Sequence, residues 1–546
     1  MPILNIFEKK FVLPNYDYSE KYWPIVSDIV FKEIGESELK EPTQVQKLLK
    51  KCFALLCLIL DEKINEQKNA SFYIFCHYLH EDSIDIWQEQ IMGNDLGAIE
   101  EDFAASRRIL KIILEQSCKI NLVGTPNFYS EIQENIDSYT KYLEELLYIG
   151  SWCYILSEFV SRSQLFPSSI GLKYEEGGLS ILTYQPFPEL FKFVFEEKDK
   201  HNSDVELSDS INGFKKLLKE EFKVDYNNLS SFVNRQVENP IYRFGLNKID
   251  SIIEELHSEL QYAKDFLTVF YNGLKIDKNN CLNIEDCFLK NQHENRHVYR
   301  PILELLVDGK IYHMIGRNKW IESLTLLSTN SFPFGQFPSE WKAYPSIKDF
   351  VNEIDNTHDK ILENPIKELL EKANRIFDYN IESLEQPQTD NINIKNTVGD
   401  IDILFLDEKY KIIYVCECKH NRSRFDLNNW KRDYSKFKSK YENQLERKTN
   451  WVKDNKIVLE NHLKVKNPQK TDLDISQFET RGIFIINAPT IYMFNGKYRA
   501  FTISEIKDLL NEQYVDTTFK FTNEISGKSI IVEYPYFDNL EKRLKE

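Results

Sequence analysis

The stretch Gly399-Asp400-Ile401-Asp402-Ile403-Leu404-Phe405, followed after a turn by Tyr414-Val415-Cys416-Glu417-Cys418-Lys419, decides how the chain is read. Both runs are short, β-branched and aromatic, and they flank the turn Asp407-Glu408-Lys409. The spacing predicts a two-stranded hairpin over residues 400–406 and 411–419. In a strand, side chains at i and i+2 share a face, so Glu417 and Lys419 point the same way. Pairing the strands around the turn brings Asp402, at the start of one, beside Glu417 and Lys419, at the end of the other.

Two carboxylates gathered on one face repel each other, and one takes up a proton unless a cation lies between them. A hard divalent cation resolves the conflict. Mg²⁺, with Mn²⁺ as its substitute, is commonly held by one or two carboxylates plus water and substrate phosphate. Asp402 and Glu417 are the candidate ligands, and the backbone carbonyl of Cys418 is placed as a third. Such an ion lowers the pKa of a bound water and neutralises a phosphodiester. Lys419 is then positioned to orient that water or to stabilise charge that develops in the transition state.

Working outward, the pattern predicts a helix over residues 361–377, with Pro365 in its first turn, where a missing N–H costs little. A polar stretch, 382–396, follows. After the hairpin come a long helix, 427–453, a buried strand at 482–487, a further strand at 490–494, and a short helix at 503–510. Helix, strand, strand, helix, strand is the order of a small α/β domain with a mixed sheet.

Over about residues 355 to 510 this arrangement resembles the PD-(D/E)xK, or restriction-endonuclease-like, superfamily. Asp402 matches its first carboxylate, and Glu417 and Lys419 match its E-x-K. The first motif reads Gly-Asp-Ile-Asp rather than Pro-Asp, which leaves Asp400 as the alternative to Asp402. The resemblance implies metal-dependent hydrolysis of a nucleic-acid backbone. It also implies a metal-binding Glu early in the preceding helix, here Glu363 with Glu368 in reserve. A Gln in the following helix, here Gln444, would orient Lys419 or a phosphate.

The whole chain carries a net charge of −17, which excludes indiscriminate coating of nucleic acid, so any such contact needs a local basic patch. Residues 409–448 supply one, with 12 Lys/Arg against 5 Asp/Glu. Arg422, Arg424, Lys431, Arg432, Lys436, Lys438 and Lys440 are the candidate phosphate contacts. The interleaved Trp430, Tyr434, Phe437 and Tyr441 are read as packing on the sheet rather than stacking on bases.

Residues 1–345 read as mainly helical, with apolar spacings of three and four at 45–60, 109–120, 142–159 and 249–270. A Gly/Ser/Pro break at 168–188 and polar joints near 200–212 and 277–296 interrupt them. The Pro- and aromatic-rich segment 331–345 is the expected connector. The expected architecture is therefore α+β and multidomain. Residues 1–345 form a mainly helical accessory or sensor region, and 346–546 a restriction-endonuclease-like α/β domain.

Nine scattered cysteines without paired CxxC spacing predict reduced, buried thiols. No apolar run approaches the roughly 20 residues of a membrane span, and the first residues lack a signal-peptide pattern. The expectation is a cytoplasmic protein with no membrane partner. The expected nucleic-acid partner is DNA first and RNA second, with a homodimer or a regulatory partner engaged through the N-terminal region. One competing motif is present: His293-Glu294-Asn295-Arg296-His297 matches the zinc-peptidase pattern H-E-x-x-H. Its flanks are polar, and Arg296 would place a cation beside the metal. A catalytically inactive nucleic-acid-binding or sensor protein is the other alternative.

Overall fold

The computed structural model describes residues 3–124, 128–175, 178–200, 208–238, 244–246, 248–357, 360–387, 390–422, 424, 426–524 and 526–545. Residues 201–207 of the expected joint near 200–212 fall outside this set. The chain is mixed α/β and divides into two compact units. One comprises residues 1–182, 207–353 and 427–429, and the other 183–206, 354–426 and 430–546.

In the second unit α1 (Lys360–Lys372) leads into β1 (Phe377–Ile381), and the hairpin follows as β2 (Ile401–Asp407) and β3 (Ile412–Lys419). Asp407 makes the turn. Its Oδ1 accepts the Lys409 N–H at 3.1 Å and the Tyr410 N–H at 3.0 Å, and Lys411 closes the turn at φ +53°. A side chain that bonds its own backbone two residues on is a self-contained turn signal. The strands pair antiparallel, with Ile403 opposite Cys416 and Phe405 opposite Tyr414.

After the hairpin run α2 (Leu427–Lys436), a π-helical turn at Phe437–Tyr441 and α3 (Glu442–Asp454). Then come β4 (Glu479–Ile486), β5 (Arg499–Thr502) and α4 (Ile503–Leu510). The sheet order is β1-β2-β3-β4-β5. The β1, β2 and β3 pairings are antiparallel, while β3, β4 and β5 run parallel.

Every residue of β2 and β3 is buried, as expected for central strands covered on both faces. On one face Ile403, Phe405, Cys416 and Cys418 pack with Leu362, Ile366 and Leu370 of α1 and Ile506 and Leu510 of α4. The alternate residues, Asp402 and Glu417 among them, face the other side, where α3 lies on β3 and β4.

Three sequence expectations are corrected. The helix expected to reach Phe377 stops at Lys372, and Phe377–Ile381 is the edge strand β1. Asn374 at φ +51° breaks the helix between them. Pro365 consequently sits inside α1, beyond its first turn. The strand expected at 490–494 is instead a short helix, Tyr492–Asn495, and the last strand of this sheet is β5. A short apolar run does not distinguish the two by periodicity. Here Tyr492 is buried and stacks on Phe437 at 4.4 Å between ring centroids. The segment 183–206 groups with this unit because Phe195 stacks on Trp430 and Phe191 packs on Phe537.

The first unit is built on long helices at Pro42–Glu66, Ala70–Ile91, Glu100–Ser117 and Phe128–Leu165. The first of these starts with Pro42 at its first position and Glu41 as cap, accepting the Thr43 and Gln44 N–H groups. It buries Val45, Leu48, Leu49, Cys52, Phe53, Leu56, Cys57 and Leu60, the stripe its spacing predicts. This unit is not helical throughout. Ile302–Val307 and Lys310–Ile315 pair as a hairpin inside a five-stranded sheet, a feature the segment's polar and aromatic composition hides. All nine cysteines are free, eight of them buried. Among the described residues no helix is long and apolar enough to cross a membrane.

Gly482 of β4 measures how tightly α3 is seated. A Cβ at that position would stand 2.5 Å from Thr449 Oγ1 and 3.0 Å from Leu445 Cγ. Gly482→Ala is therefore expected to destabilise the chain by about 1–3 kcal/mol, the usual range for overpacking. Urea denaturation monitored by circular dichroism checks this, and an unchanged midpoint would mean that α3 is not seated on β4.

Candidate functional site

The site lies on the α3 face of the central strands. The hairpin register, carried one step past the Ile403–Cys416 pair, sets Asp402 directly opposite Glu417. Opposed side chains in an antiparallel pair lie within contact distance. Glu417 and Lys419 share this face, and the Lys419 Nζ is 3.1 Å from Glu417 Oε1. All three are buried. Asp400, the alternative first carboxylate, is exposed, which favours Asp402 as the buried acid.

The Cys418 N–H donates to Asp402 Oδ2 at 2.6 Å. The N–H and C=O of one strand residue leave on the same edge, so the Cys418 carbonyl is directed to the Asp402 side. Its thiol points to the opposite, α1 face. Burial and the charges of Asp402 and Glu363 hold that thiol well above its ordinary range. Glu363 thus stands on α1 where its charge is felt at Cys418, half-buried. The reserve candidate Glu368 is out of the site: it is exposed and faces Lys372 one turn along α1 at 3.8 Å.

Sequence reasoning missed one residue, Lys448 on α3. Its Nζ donates to Glu417 Oε2 and lies 3.4 Å from Asp402 Oδ1, with only 4% of the side chain exposed. The electrostatics follow from this packing. Burial and the facing Glu417 push the Asp402 carboxyl up, against the pull of Lys448 and Lys419. Burial pulls the Lys448 ammonium down, but Asp402 and Glu417 outweigh it and leave it raised. The only sequence signal was spacing: Lys448 is one helical turn beyond Gln444, on the same face. Gln444 itself is half-buried and makes no hydrogen bond to Lys419 or either carboxylate, so Lys448 reaches the place expected for it.

The π-turn has a clear physical role. An α-helix advances about 100° per residue, so Phe437 and Leu445, eight apart, would stand about 80° from one another. Widening one turn absorbs a residue and brings the two buried side chains into line. The same turn sets the Tyr441 ring beside Lys419, whose Nζ is 5.0 Å from the ring centroid. Lys436 and Lys440 approach that ring at 5.2 and 5.9 Å. Each is a cation–π distance.

The expected basic patch splits in two. Lys436, Lys440 and Arg432 are exposed, so these three face solvent, and Lys431 is half-buried. Arg424 is instead a structural group, forked onto Asp433 at 2.6 and 2.7 Å. Arg422 is buried. Lys438 faces Glu442 at 3.3 Å and lies over the Tyr434 and Tyr492 rings. Trp430 and Phe437 are core residues, in line with the packing reading. The loop after Lys419 is held by a reciprocal clasp: the Asn421 N–H donates to Asn487 Oδ1, and Asn487 Nδ2 donates to the Asn421 carbonyl at 2.8 Å.

The H-E-x-x-H segment is not helical, so its two imidazoles do not share a helix face. Arg296 pairs with Glu115 at 2.9 Å, and the His297 N–H donates to the same carboxylate at 2.6 Å. The segment serves the core of the first unit. Among the described residues no group of three or more His, Cys, Asp or Glu is arranged to hold a metal ion. No protein-family model, curated protein or solved structure matches the chain.

Removing Lys448 leaves two facing carboxylates without their shared counter-charge. Lys448→Met is expected to cost about 3 kcal/mol without divalent cations, the scale of a broken buried ion pair. Lys440→Met, on the exposed side, should leave the midpoint unchanged. Parallel denaturation curves in EDTA check the pair, and equal midpoints would show that Lys448 does not bear on the carboxylates.

Proposed function

We propose that the C-terminal unit is a metal-dependent nuclease of the PD-(D/E)xK kind, hydrolysing phosphodiester bonds of DNA first and RNA second. The carrying observation is the convergence of Asp402, Glu417 and Lys419 on one buried sheet face. The sheet order and the flanking helices α1 and α3 are compatible with a restriction-endonuclease-like core.

The residues fit Mg²⁺ in their donor chemistry. Two facing carboxylates with a directed backbone carbonyl are too few for a structural zinc cage. They suit an ion that keeps several waters and takes substrate phosphate as a ligand. Asp402, Glu417 and the Cys418 carbonyl would hold it, with Glu363 on the α1 side adding negative charge. When bound, the ion supplies neutralisation of the phosphodiester and a more acidic water. Lys419, steadied by Glu417 and the Tyr441 ring, presents its ammonium where charge builds on the phosphorus oxygens. Lys431, Arg432, Lys436 and Lys440 hold the backbone in register. By analogy of fold alone, such a domain with a large accessory region suits a bacterial restriction or phage-defence effector, in which residues 1–345 sense a trigger or restrain the nuclease.

A second reading is a catalytically silent nucleic-acid-binding module. One observation favours it, the Lys448 ammonium between the two carboxylates. Cleavage of plasmid, linear duplex, single-stranded DNA and RNA, in Mg²⁺, Mn²⁺ or EDTA, separates the two. The nuclease reading expects cleavage that EDTA abolishes and that Asp402→Ala, Glu417→Ala and Lys419→Ala each reduce by on the order of 100-fold or more. Lys419→Ala cutting as fast as the parent would overturn the assignment. Binding of the same substrates without cleavage is the outcome expected of the silent module and equally of a nuclease held in check by residues 1–345.

A further inference from the structure

Lys448 differs from the exposed basic residues of the helical segment that carries it. Arg432, Lys436 and Lys440 project into solvent, whereas the Lys448 side chain is buried and its Nζ contacts both Glu417 and Asp402. Its delivery is rigid. The next residue, Thr449, and Leu445 one turn back press on Gly482 of β4. The preceding residue, Arg447, donates from Nε to the Val398 carbonyl at 2.9 Å. The backbone that carries Lys448 is therefore seated from both sides, which aims its side chain at the carboxylates.

A charge placed there has a definite consequence. Two cations within a few ångströms repel strongly where water is scarce. A divalent ion ligated by Asp402 and Glu417 needs the oxygens that the Lys448 ammonium now contacts. Asp402 Oδ2 accepts the Cys418 N–H. The other three carboxylate oxygens are shared with Lys448 and Lys419, so an ion held by both residues meets at least one of these ammonium groups.

We infer that Lys448 is a resident cation that competes with a divalent metal ion for the Asp402–Glu417 pair, so that loading the site displaces its ammonium from the carboxylates. This rests on the reading of Asp402 and Glu417 as metal ligands, and deepens it. The displaced ammonium becomes a free cation beside the bound ion, where an anionic phosphate of the substrate is expected. Lys448 thus sets the threshold of metal concentration at which the site changes occupant. It is a positioning residue and not a ligand.

The test is Mn²⁺ binding by the full-length chain, followed by electron paramagnetic resonance without substrate. Lys448→Met is expected to bind Mn²⁺ at least tenfold more tightly than the parent. Glu417→Ala made in the Lys448→Met background is expected to lose that binding. Equal or weaker binding by Lys448→Met, with Glu417-dependent binding intact in the parent, overturns the competition and leaves the metal site standing. Mn²⁺ binding by neither protein overturns the metal site itself, and the competition with it.

A measurement on the parent protein covers a variant that does not fold. Reductive methylation mapped by mass spectrometry reads the exposure of each lysine. Methylation of Lys448 is expected to rise severalfold on adding Mg²⁺, while Lys440 stays constant. Unchanged Lys448 methylation at a Mg²⁺ concentration shown to occupy the site overturns the inference.

Discussion

Four charges in one buried layer govern the second unit. Asp402 and Glu417 oppose each other across the central strand pair, and Lys419 and Lys448 answer them from the strand end and from α3. Buried carboxylates are costly unless paired, and a pair facing each other costs more. The surroundings of this layer are what such a charge set requires. The Cys418 N–H caps one oxygen of Asp402, Gly482 lets α3 come close enough to deliver Lys448, and Asn421 and Asn487 pin the loop beyond Lys419. An ordinary core would have placed valine or leucine at these positions, as it does at Leu404 and Val415, the next pair on the same face. A chain that keeps charge in the centre of its sheet gives up stability there, and such sites are where function is sought.

The hairpin and its acidic face could be read from the sequence because they are local. Alternation of period two, a turn closed by Asp407 and an E-x-K at the strand end all lie within some twenty residues. The long helices of the first unit were readable for the same reason, since a stripe such as Val45 to Leu60 declares its own buried face. Lys448 was not readable. It lies 31 residues from Glu417, and among many lysines of one helix nothing local marks the one that turns inward. Only the approach of α3 to Gly482 selects it.

Other misses share that cause. Phe377, the expected helix end, instead opens the edge strand Phe377–Ile381, which only the pairing with β2 reveals. The hairpin at Ile302–Val307 and Lys310–Ile315 sits in a region read as mainly helical. Arg424 and Lys438 were counted as phosphate contacts on charge alone, yet each has an acidic partner, Asp433 and Glu442. Composition counts charges, whereas only the fold decides which are already neutralised. The H-E-x-x-H match failed in the same way: Glu115, distant in sequence, had claimed Arg296.

The widened turn at Phe437–Tyr441 carries a consequence for how this chain can vary. A helical segment that already holds a surplus residue can lose one there and relax to an ordinary spiral, with both halves keeping their seats: Trp430 in its aromatic stack, and Leu445 and Thr449 on the sheet. Elsewhere in the same helix a lost residue would swing everything beyond it by about 100°. What such a shortening would sacrifice is the aromatic ring beside Lys419. Length variation is therefore cheap for the scaffold at this point and expensive for the site.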